Sequence, residues 1–383
     1  MKQELISNLL PSKMVFLTPI LDKYGAARTL FSVIHTFDQK GVPCEVWFPR
    51  DSKVEPEFLS SFSDLVVFRQ MDLPVLRRKQ VYEFHFLITL MHYLFNSFKI
   101  RKVTFSPQYA NACFHIFTSA SILGIFLVPR RNRVISVHEF SKNRFERLLL
   151  KFLFQISGSR RIFASRAVMS HYGIGGEIIH SGANIEIFRN FKKKLFEPGN
   201  TLNILCVGRI TQTKGQLIVL KALAELLQYH QNFKAIFIGS PFGNVRDYMD
   251  LCIHFAKSNG LDNLVEFVGE KSDTREFYEN SDLVIVPSIQ PEAFGKVLIE
   301  GMASSNIVIA TNIGGPLEIV QHEVNGLLVN PNSADQLRQA IEKIITGGYD
   351  LKRMTTNAKD SSKHFNDVET GRKYFEYITR RIL

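Results

Sequence analysis

Residues 202–215 read LNILCVGRITQTKG, and this stretch decides the fold that we expect for the chain. The apolar run Leu202–Gly208 ends in glycine, and a helical pattern covers Gln216–His230 immediately afterwards. A short buried run that feeds a helix is typical of a parallel strand in an α/β protein. Because such units recur at short intervals along the chain, the sequence predicts an α/β fold with doubly wound parallel sheets.

The same alternation predicts the other elements. In the second half we expect strands at Ala235–Gly239, Val265–Gly269, Leu283–Val286 and Ile307–Ala310, and helices at Val245–Ser258, Thr274–Asn280, Lys296–Ala303 and Ala334–Ile345. In the first half we expect strands at Met14–Thr18, Pro43–Phe48, Lys102–Phe105, Arg133–His138, Arg161–Ser165 and Ile178–His180, and helices at Thr29–Gln39 and Tyr109–Gly124. The alternation of strands and helices therefore occurs in both halves of the chain, less clearly in the first.

Length and charge both indicate two domains. The chain has 383 residues, which is enough for two cores of ordinary size. Residues 1–183 carry 24 Lys and Arg against 13 Asp and Glu, whereas residues 184–383 carry 23 of each, so the whole net charge of +11 lies in the first half. A lysine run followed by Pro198 and Gly199 suggests a linker. We predict a first domain over 1–183, a linker over 184–199 and a second domain from residue 200.

Composition excludes several classes of protein. With 45% hydrophobic residues the chain is too apolar to be disordered. The apolar segments Phe84–Phe98 and Phe114–Val128 are shorter than the ~20 residues of a membrane span, and we expect buried helices there. The four cysteines have apolar neighbours and no CxxC spacing, which favours buried thiols in a reducing compartment. The beginning of the chain shows no secretory signal pattern, so we predict a cytoplasmic protein.

The positive charge of the first half suggests an anionic partner. An excess of cations usually faces nucleic acid, an anionic phospholipid surface or a phosphorylated substrate, or is simply a soluble basic surface. We find no known nucleic-acid-binding motif and predict no nucleic-acid partner. On a helix, Arg144, Arg147 and Lys151 would lie on one side, which keeps a membrane surface among the candidates.

The loop Gly208–Gly215 has the composition of an anion site. It follows a predicted strand and opens a helix, so free N–H groups and the positive end of the helix dipole meet there. Arg209 and Lys214 add two cations. The segment could hold a diphosphate, although it matches neither a Walker A loop nor a GxGxxG fingerprint. The alternative is a solvated basic turn.

Two further segments place polar groups at predicted strand ends. In Pro291–Glu300 (PEAFGKVLIE), Glu292 lies in the loop and can accept hydrogen bonds from sugar hydroxyls, whereas Glu300 lies two turns up the next helix and can accept from ribose hydroxyls. His138 ends the strand of the first half and could donate to a sugar or to a leaving group. Taken singly, a pair of glutamates usually lies on the surface without a function, and a lone histidine usually has a structural role.

Together these motifs resemble the retaining glycosyltransferases of family 4, the group 1 glycosyltransferases. The resemblance extends over the whole chain, strongly in the second half. It rests on Gly-Arg-Ile-x3-Lys-Gly at Gly208–Gly215, the Glu-x7-Glu spacing of Glu292 and Glu300, the turn Gly314–Glu318 followed by Asn325–Val329, and the stretch His180–Phe188. It implies the GT-B fold, with two Rossmann-like doubly wound domains that face a central cleft. It also implies that the second domain ends at 366 and that a last helix, 367–383, rejoins the first.

The resemblance implies a role for each matching residue. Arg209 and Lys214 would neutralise the diphosphate leaving group, Glu292 would hold the donor sugar, Glu300 would hold the ribose, and His138 would approach the sugar from the first domain. The catalytic set is therefore Glu292, His138, Arg209 and Lys214, with no metal and no other cofactor. The remaining donor-binding positions would be Gly25, Val268, Gly269, Glu270, Ala293, Phe294, Gly295, Lys296 and Val297.

Some positions depart from the family pattern. The first turn has Gly25-Ala26 where two glycines are common, which weakens the expected phosphate contact by Ala26. Lys296 occupies a position that is often apolar. Its ammonium could lie beside the donor and recognise an acidic group, or could point to solvent.

The resulting expectation is a retaining hexosyltransferase that uses a nucleotide sugar, with uridine slightly favoured over guanosine. The acceptor would be a lipid-linked glycan of bacterial O-antigen or capsule synthesis, and the basic first domain would hold the enzyme at the inner face of the cytoplasmic membrane. Two alternatives stay open: an enzyme for a soluble sugar or phosphosugar acceptor, and an inactive GT-B subunit that regulates a partner.

Overall fold

The computed structural model describes residues 11–19, 21, 25–50, 52, 60–73, 98–130, 132–191, 193–241 and 247–380. Tyr24, nearly all of the apolar segment 84–98, Lys192, the start of the predicted helix 245–258 and the last residues of the terminal segment lie outside these ranges. The described residues form two compact units. One runs up to Ser181 and includes the residues from Asp367 onward, and the other is Gly182–Asn366.

The first unit contains a parallel sheet with the strand order β3-β2-β1-β4-β5-β6-β7. The strands are β1 Lys13–Leu17, β2 Cys44–Pro49, β3 Val66–Met71, β4 Ala112–Phe117, β5 Arg133–Val137, β6 Arg160–Phe163 and β7 Glu177–Ile178. Strand β1 lies centrally, with Met14 paired to Cys44 on one side and to Cys113 on the other. Its helices are Gly25–Gln39, Arg144–Ile156, Arg166–Tyr172 and Asp367–Thr379, together with the helical residues 98–104.

Several predictions for this first unit are wrong. Residues 102–104, expected in a strand, are helical, and the expected helix 109–124 instead contains β4. Strand β4 is followed by a 3-10 segment, Ser119–Leu127, so the apolar stretch 114–128 is not a helix with α-helical period. The break falls at Thr118, whose φ of 79° is compatible with neither a strand nor an α-helix. The prediction omitted β3 because half of its side chains are exposed and its apolar pattern is weak.

The second unit repeats the plan with the strand order β10-β9-β8-β11-β12-β13, again all parallel. The strands are β8 Leu202–Val207, β9 Phe233–Ile238, β10 Val265–Gly269, β11 Leu283–Val286, β12 Ile307–Thr311 and β13 Leu327–Val329. The helices are Gln216–Leu226, Asp247–Ser258, Arg275–Glu279, Lys296–Ala303, Ala334–Ile345 and Leu351–Ser362. The predicted doubly wound α/β architecture is confirmed in both units.

The segment 184–199 belongs to the second unit by its packing. Ile185, Phe188 and Phe196 are buried among the core residues of that unit, and Ala183 forms a parallel bridge with Asn366. The chain therefore enters and leaves the second unit at neighbouring positions.

The last described helix, Asp367–Thr379, completes the first unit. Tyr374 and Ile378 are fully buried in its core, beside Phe37 of the helix Gly25–Gln39. Gly371 permits this approach, because a Cβ there would lie 2.0 Å from Thr36 Oγ1 and 2.8 Å from the Ser32 carbonyl oxygen.

Two further expectations concern the cysteines and the possibility of a membrane span. All four cysteines are buried and unpaired, as predicted. Among the described residues, no helix combines the length and the apolar composition needed to cross a bilayer.

Candidate functional site

The order of the strands in the second unit reverses at one point of its parallel sheet. From β8 the chain proceeds outward to β9 and β10, and then returns to the other side of β8 with β11, β12 and β13. In parallel sheets of this kind, ligands bind beyond the carboxyl ends of the two strands at such a reversal, here β8 and β11. The loops that follow these strands are 208–215 and 287–295, the two loops that the sequence singled out.

A charged pair joins the two loops. Lys214 lies in the loop after β8 and Glu292 in the loop after β11. Lys214 Nζ donates a hydrogen bond to Glu292 Oε1 at 2.5 Å. Ser288 Oγ donates to the same carboxylate oxygen. The Glu292 side chain is 15% exposed and that of Lys214 is 31% exposed, so a ligand can reach both. An ammonium has three donors, and Lys214 therefore keeps hydrogen-bonding capacity beyond its bond to Glu292.

Glu292 is held in its charged form. Burial by itself would raise the pKa of this carboxyl. The positive charge of Lys214, the hydrogen bonds from Lys214 and Ser288, and the charge of Arg209 act in the opposite direction and hold the pKa below the ordinary value for glutamate. Glu292 is therefore a hydrogen-bond acceptor at neutral pH, which suits the binding of hydroxyl groups and does not suit proton donation.

Close backbone contacts fix the geometry of both loops. The Ile289 N–H donates to the Thr213 carbonyl oxygen at 2.9 Å and ties one loop to the other. Gly215 has a φ of +74°, and a Cβ at this position would lie 2.1 Å from the Pro287 carbonyl oxygen. On the far side the Gly315 N–H donates to the Glu292 carbonyl oxygen at 2.8 Å. The turn after β12 thus supports the loop that carries Glu292.

Arg209 is exposed at the mouth of the same loop, and its charge is close enough to act on Glu292. Its own carbonyl oxygen accepts a hydrogen bond from Gln216 Nε2 at 2.9 Å, which fixes the backbone at this point. Two cations and one carboxylate therefore meet at the reversal point of the sheet.

The segment Ala293–Val297 offers backbone groups more than side chains. Phe294 is buried and packs edge-on against Phe365, so its side chain serves the core. Gly295, with a φ of 123°, precedes the helix Lys296–Ala303, whose first amides are those of Lys296 and Val297. The Lys296 ammonium donates to the Gly182 carbonyl oxygen, and its place beside a donor stays a prediction.

Glu300 lies in the interior of that helix. Its side chain accepts a hydrogen bond from the Tyr278 hydroxyl at 2.8 Å, and the residue is only 4% exposed. Val268 and Gly269 end the edge strand β10, and Glu270 follows them in an exposed position. The Gly239 N–H donates to the Gly269 carbonyl oxygen at 2.9 Å. These residues lie at the carboxyl edge of the sheet, as expected for residues that would contact a base.

His138 and Gly25 belong to the first unit. His138 follows β5, is buried, and stacks on Phe117 with ring centroids 4.4 Å apart. Its Nδ1 lies 3.2 Å from Ser181 Oγ, and its Nε2 lies 3.4 Å from the Tyr374 hydroxyl. Gly25 is the exposed first residue of the helix Gly25–Gln39, and among the described residues, its chain neighbours apart, no atom lies within 4 Å of the position a Cβ would take.

The sequence interpretation missed two site residues. Ser288 contacts Glu292 directly, and Tyr278 contacts Glu300. Ser288 could have been found, because a small polar residue directly after a buried strand lies at the carboxyl edge of the sheet. Tyr278 gave no such signal, since it lies in a short helix far from the motif. Within the described ranges, no three His, Cys, Asp or Glu side chains are grouped closely enough to hold a metal ion.

Comparison with known proteins finds a family match within the second unit. Residues 187–361 match the family model described as glycosyl transferases group 1. An uncharacterized glycosyltransferase of Methanocaldococcus jannaschii is 34% identical over 173 residues, which are 44% of this chain and 42% of the relative. The lipopolysaccharide 1,2-N-acetylglucosaminetransferase of Salmonella typhimurium is 31% identical over 161 residues, or 41% and 42% of the two chains. A D-inositol 3-phosphate glycosyltransferase of Rhodococcus erythropolis is 30% identical over 179 residues, or 46% and 40%. Each match spans less than half the length of the relative.

A solved structure extends the likeness to both units. Anabaena HepE in complex with UDP and glucose superposes with a TM-score of 0.76 over 96% of this chain and 99% of that chain, at 21% identity. At this level of identity the likeness concerns the fold, and it confirms that the chain has the two expected Rossmann-like domains.

Proposed function

We propose that this chain, which has a GT-B fold and matches the group 1 glycosyltransferase model over residues 187–361, transfers a sugar from a nucleotide donor to a glycan acceptor with retention of anomeric configuration. The observation that carries the proposal is the Lys214–Glu292 pair, which lies at the reversal point between β8 and β11 inside the matched segment. A donor bound there would place its diphosphate against cations and its sugar against a carboxylate.

The two cations have a defined task in this proposal. When the bond between the anomeric carbon and the diphosphate breaks, negative charge grows on the leaving oxygen. Arg209 and the donors of Lys214 not used by Glu292 would stabilise that charge, and preorganised groups of this kind contribute most of the rate enhancement in many enzymes. Because Glu292 fixes the ammonium in advance, little reorganisation is needed as the charge develops.

The proposed step balances without another reactant. The anomeric carbon–oxygen bond to the diphosphate breaks, and a bond from the acceptor hydroxyl oxygen forms on the same face of the sugar. The hydroxyl proton goes to the departing diphosphate oxygen. Glu292 would accept hydrogen bonds from the sugar hydroxyls and hold the ring, and the amides of Lys296 and Val297 would bind phosphate or hydroxyl oxygens at the helix start. His138 would act from the first unit.

We propose a uridine diphosphate sugar, most simply a hexose, as donor. The structural neighbour HepE has been solved with UDP and glucose, which supports this choice. Glu300 would hold the ribose, with Tyr278 fixing the carboxylate, and Val268, Gly269 and Glu270 would contact the base. Gly25 would approach a phosphate through its backbone, which the open space at its Cα permits.

For the acceptor we propose a lipid-linked glycan of cell-surface polysaccharide synthesis, such as lipopolysaccharide O-antigen or capsule, at the inner face of the cytoplasmic membrane. The Salmonella relative, named for its action on lipopolysaccharide, supports this proposal. The basic first half supports it as well, because an anionic leaflet attracts cations.

A second acceptor class has its own support. The Rhodococcus relative is named for D-inositol 3-phosphate, which favours a soluble phosphosugar. Partition of the radiolabelled product separates the two: a lipid-linked product enters the organic phase and a soluble product stays in water. Absence of turnover with every donor and acceptor, despite donor binding, would favour an inactive regulatory subunit.

The experiment that tests the proposal is a thermal-shift panel of nucleotide sugars, followed by transfer assays with the donor that stabilises the chain most. Binding to the native state alone raises its stability, so the panel identifies base and sugar. Lys214→Met should lower turnover ~10²–10³-fold, the usual effect of removing one such electrostatic group. Lys221→Met, an exposed lysine in the next helix, is the matched control and should turn over normally. Equal turnover in both variants would contradict the site.

A further inference from the structure

The helix Arg144–Ile156 of the first unit carries a row of large apolar side chains on its exposed side. More than a third of each of five large side chains is exposed there, from 37% for Leu149 to 67% for Phe145. We call this set the apolar stripe, and its members are Phe145, Leu148, Leu149, Phe152 and Ile156. Surface clusters of large apolar side chains on one face usually mark a binding surface.

Helical spacing explains why the stripe is continuous. Steps of three and four residues return to the same side of an α-helix, and the stripe positions follow that rule. The opposite side is packed against the protein, where Leu150 and Phe154 are buried. The helix therefore has two apolar faces, of which the fold uses only one.

Cations border the stripe on one side. At 3.6 residues per turn, Arg144 and Lys151 lie next to the stripe, and Arg147 lies just beyond them. The helix carries a single acidic residue, Glu146, which caps its beginning by accepting from the Lys142 N–H at 2.8 Å. The exposed Lys142 adds one more positive charge before the first turn.

We infer that this helix is the element by which the protein docks on an anionic lipid bilayer, with the apolar stripe in the headgroup boundary and Arg144 and Lys151 against lipid phosphates. The combination of apolar side chains and bordering cations favours a bilayer, because anionic lipid offers partners for both. The confinement of the net charge of +11 to the first half points the same way. The helix has 13 residues, a length of about 20 Å, and it would lie in the plane of the membrane.

This inference rests on the proposed function, since docking would bring the enzyme to a lipid-linked acceptor. The two are nevertheless tested by separate measurements. Vesicle binding requires no donor or acceptor, and donor binding requires no vesicle. A protein that binds UDP-sugar but not lipid would contradict only the docking surface, and the converse result would contradict only the donor site.

The test is co-sedimentation of the full chain with vesicles of phosphatidylcholine alone and with vesicles that also contain phosphatidylglycerol. The wild type should bind the anionic vesicles more tightly. Phe145→Ser with Phe152→Ser should weaken binding at least about tenfold, because each exposed phenylalanine loses its transfer into the apolar boundary. Phe105→Ser, equally exposed at 55% in the same unit, is the control and should bind like the wild type.

The charged border is tested in the same assay. Arg144→Gln with Lys151→Gln should weaken binding to anionic vesicles about 25-fold, since each cation near the surface contributes roughly fivefold. The same pair should change binding to neutral vesicles little. Thermal stabilisation by UDP in each variant shows that the chain is folded and that its donor site is intact.

Two outcomes would overturn the inference. One is equal binding of the wild type to anionic and neutral vesicles, or no binding to either. The other is a wild-type dimer, seen by analytical ultracentrifugation, that Phe145→Ser with Phe152→Ser converts to a monomer without any effect on vesicle binding. In that case the apolar stripe would be an interface with a second copy of the chain.

Discussion

Glu292 makes the second unit sensitive to acid. Its pKa lies below the ordinary glutamate value, so its charged form stabilises the folded state. That contribution is fully present above the pKa of an unfolded glutamate, ~4.3, and is lost as pH falls through the lower folded value. We expect wild type to be more stable than Glu292→Gln at pH 7, and the difference to shrink as pH falls below about 4.

The measurement is the melting temperature of both proteins across this pH range. Glu266→Gln, which removes an exposed carboxylate from β10, serves as the control and should follow the wild type. A gap between wild type and Glu292→Gln that stays constant down to the lowest pH would show that the carboxylate charge is not what stabilises the two loops.

Arg209 and Lys214 also bear on metal dependence. We propose that these two cations take the part that a divalent ion plays at other diphosphate sites, since both lie where the leaving group would be held. Turnover should then be unchanged by EDTA and by added Mg²⁺. If EDTA abolished transfer and Mg²⁺ restored it, the neutralising role assigned to Arg209 and Lys214 would be wrong.

At the candidate site, sequence reasoning succeeded where a motif coincided with a strand end. Lys214 and Glu292 are 78 positions apart, yet each follows a buried strand, and adjacent strands bring them together. It could not assign Lys296, because the carbonyl that its ammonium contacts belongs to Gly182, at the other end of the unit in sequence. Long-range partners of this kind leave no local pattern. The roles of the site residues stay predictions until they are tested.

At the scale of the element, Gly215 controls how the loops after β8 and β11 meet. Gly215→Ala places a side chain at positive φ, which costs about 1–2 kcal/mol. It also forces a Cβ against Pro287, and overpacking of this kind adds about 1–3 kcal/mol. We expect a clear fall in melting temperature together with weaker nucleotide-sugar binding, because Lys214 is displaced.

Gly260→Ala separates these two effects. Gly260 lies in the same unit with a φ of +71°, and its Cβ would meet only Leu227 at an ordinary 3.7 Å. This variant should therefore lose only the backbone contribution and bind donor normally. Equal losses of stability and of donor affinity in the two variants would mean that the contact with Pro287 is not needed to form the site.

Helices and strands were predicted correctly where glycine, proline or polar residues mark both ends of the apolar run. Strands β10 and β11 and the helices Lys296–Ala303 and Ala334–Ile345 lie where the sequence placed them, since glycine, proline or polar residues bound each apolar run. Strand β4 was taken for part of a helix because apolar residues continue beyond Thr118-Ser119 and neither glycine nor proline separates the two runs. Thr118 adopts a φ of 79° although it is not glycine, so this turn has no clear local signal.

At the scale of the whole molecule, the last segment of the chain completes the core of the first unit. The helix Asp367–Thr379 is made after the entire second unit, yet it fills the core of the first with Tyr374 and Ile378. Only the family resemblance predicted that this helix packs on the first unit, since a helical period does not say where a helix packs. The first unit therefore cannot complete its core before synthesis of the second is finished.

Gly371→Val tests this dependence in the intact chain. The added side chain would meet Thr36 and the Ser32 carbonyl, so the terminal helix should separate from the helix Gly25–Gln39. In hydrogen exchange measured by mass spectrometry, we expect faster exchange in both helices. UDP should still slow exchange in residues 208–215 and 293–300, because a ligand stabilises the structure that binds it. Gly25→Ala, at an open position, should leave the exchange of the terminal helix unchanged. Loss of the UDP effect in Gly371→Val, with faster exchange mainly in the second unit, would show that the terminal helix supports the donor site instead of the first core.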